Sequence, residues 1–178
     1  MTLIPLMEIA TSSSSSSSSF LKSEPHFIND VFINFREEEI SGKFVWHLKN
    51  ILLQAQVKTL VDEENLQERM KLKEHMGAIA CSKIAIIVFS ETYSESALCL
   101  RELEKIIECH ETFGQIVMPV FYHVDPFDVC TKYDFGKALE AAAQESYSEK
   151  QLKHALSRWR YALAKAAVIT GWDVRDFR

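Results

Sequence analysis

Apolar and polar positions alternate along this chain in two different periods. Asp30-Val-Phe-Ile-Asn-Phe35 is a short β-branched and aromatic run that suits a strand buried on both faces. From Lys43 onward Phe44, Val45, Leu48, Ile51, Leu52 and Ala55 recur at helical spacing, predicting an amphipathic helix that stops near Gln56. Lys58–Val61 reads as a brief second strand, and a charged loop over Asp62–Lys71 leads to a second helix with Leu72, Met76 and Ile79 on one face. Ile84-Ala-Ile-Ile-Val-Phe-Ser90 is the most apolar run and is expected in mid-sheet. A third helix is predicted from about Ala97 to Cys109, with Leu103, Ile106 and Ile107 inward. Gln115–Tyr122 makes a fourth strand, in which Pro119 removes a ladder donor and so points to an edge or a bulge. Leu152, Leu156, Trp159, Leu163 and Ala166 mark a long last helix, with Gly171 placed to cap it.

A succession of β-then-α units implies an α/β fold: a parallel sheet with helices on both faces, whose ligands gather at the carboxyl ends of the strands. The loops to inspect follow Phe35, Val61, Ser90 and Tyr122. Familiar uses of that layout find no support there. The third strand ends in Val88-Phe89-Ser90 rather than in a phospho-acceptor aspartate, and the loop after the first strand, Arg36-Glu37-Glu38-Glu39, would repel a flavin phosphate. The five glycines are scattered, so neither a dinucleotide fingerprint nor a phosphate-cradling loop is present.

Composition narrows the class further. At 178 residues, 47% hydrophobic and with four prolines, the chain is long enough for one ordinary domain. A net charge of -5 has the wrong sign for dedicated nucleic-acid binding. The charge is uneven, about +5 over residues 150–178 against -10 before them. The serine run Ser12–Ser19 cannot bury apolar surface, so residues 1–25 are expected to be a disordered leader ahead of a domain over 26–178. The leader lacks a basic segment, no apolar stretch approaches the roughly 20 residues of a membrane span, and the four cysteines show no Cys-x-x-Cys spacing. A cytoplasmic chain with reduced thiols and no metal site is the expectation.

One family is resembled by residues across the whole body. The carriers are Asp30-Val-Phe-Ile-Asn-Phe-Arg36, Phe44 with His47-Leu48, Ser82–Ser90, Tyr93, Cys99-Leu-Arg-Glu-Leu103, Gly114–Tyr122 with Val124-Asp-Pro126 and Asp128-Val129, Phe135-Gly136, and Gly171-Trp-Asp173. Together, in this order and spacing, they resemble the Toll/interleukin-1 receptor (TIR) domain in its plant immune-receptor form. The resemblance implies a flavodoxin-like sheet of about five strands, here short of the final helix, in either a TIR-only or a truncated product. It implies signalling through self-association with other TIR domains and, in many members, NAD nucleosidase activity of the ADP-ribosyl cyclase/cyclic ADP-ribose hydrolase type. NAD would be a substrate and no cofactor is implied.

By the same resemblance Glu102 matches the family's catalytic carboxylate, and Arg36, with Phe35 before it, lies beside the bound dinucleotide. Read without the family, Glu102 is a solvated helix-face residue among Glu104, Glu108 and Glu111, and Arg36 an ordinary surface ion pair. Glu37 stands where the family usually has glycine, Leu98 where it commonly has a tryptophan that stacks on the ligand, and the loop 62–71 lacks the family's Arg-Gly pair. Trp46-His47 replaces a Ser-His pair at a self-association face; Trp46 fits either core packing or an interface. These departures keep open an alternative function as a catalytically weak adaptor or decoy acting through TIR–TIR contacts.

Overall fold

The computed structural model describes residues 27–36, 39–61 and 68–174. The expected leader 1–25, Glu37, and residues 62–67 of the charged loop lie outside them. The sheet has five parallel strands: β1 (Asn29–Phe35), β2 (Thr59–Val61), β3 (Ser82–Phe89), β4 (Ile116–Phe121) and β5 (Trp172–Asp173), in the order β2-β1-β3-β4-β5. This is the flavodoxin-like order. The helices are α1 (Glu39–Gln54), α2 (Glu68–Ala80), α3 (Ala97–Phe113), α4 (Pro126–Thr131), α5 (Tyr133–Ser146) and α6 (Glu149–Ala167), with a 3-10 turn at Tyr93–Glu95.

Both faces of the sheet are dry, which is why β1 and β3 read as unbroken apolar runs. Phe32, Ala85, Ile87, Phe89, Val117 and Phe121 meet Ile79 of α2, Leu103, Ile106 and Ile107 of α3, Leu139 of α5 and Trp159 of α6. The opposite face carries Val31, Ile33, Ile86, Val88 and Val120, against which Phe44, Val45, Leu48 and Leu52 of α1 pack. As expected, β3 is the central strand. Pro119 sits opposite Ile87 of β3, while β5 reaches β4 only at Val120 and Phe121, so the missing ladder donor falls where the outer side of β4 is thinly covered.

Several elements depart from the pattern reading. The second helix starts at Glu68, inside the expected loop, and the third runs four residues past Cys109 because Gly114, at φ 72°, supplies the left-handed position that closes it. Residues 126–146, unassigned above, form α4 and α5. Asp125 caps α4 by accepting from the Phe127 amide, with Pro126 in the first turn. Gly171 does not cap the last helix. That helix ends at Ala167 with Val168 still right-handed, and Gly171 passes instead so close to β4 that an added Cβ would lie 2.4 Å from the Pro119 carbonyl oxygen.

Candidate functional site

The carboxyl ends of β1 and β3 bring a polar cluster into the core. Along β1 the two-residue period places Phe32 and Asn34 toward α3, and Val31, Ile33 and Phe35 toward α1. Asn34 is fully buried and needs partners for three polar sites. Its Nδ2 donates to Glu102 Oε2 at 2.8 Å and to the Cys99 carbonyl at 3.3 Å, while its Oδ1 accepts from the Tyr93 hydroxyl at 2.5 Å. The amide is thus held in one orientation from three directions.

Glu102 reaches this cluster because Ser96 caps α3, its Oγ accepting from the Cys99 amide at 3.2 Å. The first turn then lies over Phe35, whose carbonyl receives the Cys99 thiol at 3.2 Å, and the second turn points Glu102 at the sheet. Glu102 is only 1% exposed, so it is not the solvated helix-face residue that the neighbouring glutamates suggested. Across from Asn34, His75 Nδ1 of α2 lies 3.6 Å from Glu102 Oε1, an ion pair when the imidazole is protonated; the ring itself is 25% exposed. The Tyr93 phenol is pushed well above its ordinary range, first by burial and then by Cys99 and Glu102, so it remains a donor.

Arg36 bonds to the segment around the 3-10 turn. Its Nη1 donates to the Thr92 carbonyl at 2.7 Å and pairs with the Glu95 carboxylate, and it borders an open cleft of about 470 Å³ together with Lys137, Ala138, Ala141 and Glu145 of α5. The Phe35 side chain packs on the α1 side of the sheet, so only its backbone meets α3. Leu98 is half-buried one turn before Glu102. Trp46 and His47 are exposed on α1, which draws its core contacts from Phe44, Val45, Leu48 and Leu52 instead.

Asn34, Tyr93 and His75 complete the site without having been assigned to it from sequence. Tyr93 stood among the carriers of the resemblance, and Asn34 left a physical signal: a polar residue in a strand read as dry on both faces must have a buried partner.

A family model for the TIR domain matches residues 28–178. Disease resistance protein RPV1 of Vitis rotundifolia is 38% identical over 168 residues, 94% of this chain, and TMV resistance protein N of Nicotiana glutinosa is 40% identical over 171 residues, also 94%. The chain spans only 11% and 14% of their lengths. Among solved structures, the TIR domains of the activated Roq1 resistosome, which directly recognises the pathogen effector XopQ, superpose with a TM-score of 0.71 at 39% identity, over 83% of this chain and 89% of that one. With a family model matched over most of its length and relatives at 38% and 40% identity, this chain belongs to the TIR domain family.

Proposed function

We propose that the chain is a signalling module of plant immunity that self-associates through TIR–TIR contacts and cleaves NAD at its nicotinamide–ribose bond, with Glu102 as the catalytic carboxylate. The observation that carries the reading is the Glu102 carboxylate, directed by Asn34 at the carboxyl ends of the strands, where ligands of such sheets bind. When nicotinamide leaves as a neutral base the ribose becomes oxocarbenium-like, and a fixed carboxylate in a low-dielectric site stabilises that charge. The reaction needs one such group, and no second carboxylate is required by the chemistry. The other carboxylate oxygen, Oε1, faces His75 Nδ1 at 3.6 Å. Relatives named as disease resistance proteins support the immune role, and four cysteines held as thiols rather than disulfides support a reducing, cytoplasmic setting. Among the described residues no helix is long and apolar enough to cross a membrane.

Incubation of the concentrated protein with NAD is expected to release nicotinamide, and Glu102→Ala to lower the rate by about 100-fold or more, the usual cost of removing a preorganised electrostatic group. Equal rates for the two proteins would overturn the assignment. A second reading, an adaptor or decoy without turnover, draws on the closed carboxylate and on Arg36 being engaged by Glu95 and Thr92. It predicts self-association with no nicotinamide released.

A further inference from the structure

A carboxylate as deeply buried as Glu102 loses most of its hydration, and without compensation it would hold a proton toward neutral pH. Among the described residues, two groups compensate from opposite sides. Asn34 Nδ2 bonds to Oε2 at 2.8 Å and cannot turn away, because its other N–H meets the Cys99 carbonyl and its Oδ1 receives Tyr93. His75 Nδ1 stands 3.6 Å from Oε1 and, being partly exposed, exchanges its proton with water.

Among the described residues, Lys73 of α2 is exposed, and the ionisable groups of the other elements packed against α3 have partners or positions of their own. From the 3-10 turn comes Tyr93, which stays protonated, and Glu95, which holds Arg36 of the β1 end. Lys137 and Glu145 of α5 line the Arg36 cleft, Arg158 and Lys165 of α6 are paired with Glu104 and Glu111, and β4 contributes no charged residue. On α3 itself the Cys99 thiol donates to the Phe35 carbonyl, Lys105 pairs with Glu108, and Arg101 bonds to the Tyr147 hydroxyl.

We propose that Asn34 and His75 are positioning residues for Glu102, Asn34 aiming its carboxylate and a protonated His75 holding it ionised, so that these two side chains set the lower pH limit at which the site works. The inference rests on the reading of Glu102 as the catalytic group. The direction follows from the order of titration. A glutamate titrates in the range where an ordinary histidine is already protonated, so the imidazolium is present when Glu102 needs it and favours the charged form. At higher pH, where a carboxylate is charged without help, a neutral imidazole is no longer needed.

The test follows the Glu102 carboxyl by carbon NMR in protein labelled at the glutamate side-chain carboxyl, with the resonance assigned by its loss in Glu102→Gln. It is run beside the pH profile of nicotinamide release. In His75→Gln the NMR midpoint and the acid limb of the rate profile are expected to rise together by about half a unit to one unit, with the unmodified rate recovered above neutrality. In Asn34→Asp, which still accepts from Tyr93 but places a second carboxylate beside the first, both are expected to rise by about one unit or more. Midpoints that do not move overturn the proposal, as does a rate lowered equally at every pH, which is what a merely structural role would give. If Asn34→Asp does not fold, the partly exposed His75 decides alone. A chain that releases no nicotinamide, yet whose Glu102 midpoint shifts as described, rejects the nucleosidase reading while supporting the hold on the carboxylate.

Discussion

At the scale of single residues, the fold rests on groups that would be costly if any one lost its partner. Tyr93 has no exposed surface, and its hydroxyl donates to Asn34, which in turn directs Glu102. Burial raises the phenol above its ordinary value of 10.0, and the neighbouring Cys99 and Glu102 add to the effect. The unfolded chain therefore loses this proton first. Stability is intact below about pH 10 and falls as pH rises further, at up to about 1.4 kcal/mol per pH unit. Tyr93→Phe is expected to remove this alkaline component while costing about 1–2 kcal/mol at neutral pH, because Asn34 Oδ1 is left without its donor. Urea titrations of both proteins at neutral and alkaline pH check this; parallel losses of stability would show that the alkaline transition arises elsewhere.

At the scale of elements, what could be read from the sequence depended on how much apolar surface each element buries. The strands β1 and β3 were visible because, past the first two residues of each, burial on both faces leaves no polar position except Asn34. The helix α5 escaped because its inward positions, Phe135, Leu139, Ala142 and Ala143, keep helical spacing but end in two single methyl groups. The strand β5 has two residues and exists only through pairing, so no periodicity could reveal it. Its position depends on Gly171, where a methyl group would meet the Pro119 carbonyl at 2.4 Å and the Phe121 ring at 3.0 Å. Gly171→Ala must push the segment away from β4 and is expected to cost about 1–3 kcal/mol, as overpacking of a tight contact does. Denaturant unfolding measures the loss. Hydrogen exchange should locate it at the Val174 amide, which donates to Phe121 O; a change within about 0.3 kcal/mol, with no faster exchange there, would refute the close-approach account.

At the scale of the whole molecule, the charge asymmetry of the sequence resolves into contacts within the domain. The basic residues of α6 face acidic ones on α3 and α5, through Arg158 with Glu104, Lys165 with Glu111 and Arg160 with Glu140, so part of the positive end is neutralised in place. The motif around Glu102 singled it out, but its burial and the Asn34–His75 clasp were not legible, because residues 34, 75 and 102 meet only when three elements pack. The outward face of α1 offers the complementary case, an apolar surface that the fold does not use. Trp46 and Leu53 are 66% and 67% exposed, and seven residues apart they lie on one side of the helix. Burying both in a second copy would remove two large apolar groups from water, at about 1.5–3 kcal/mol each. If this face carries self-association, Trp46→Glu with Leu53→Glu should weaken it by at least about tenfold in sedimentation or light scattering, while the melting temperature changes little. Nicotinamide release should fall with association in dilute protein and recover as concentration rises. Unchanged association in the double variant would move the interface to another surface of the domain.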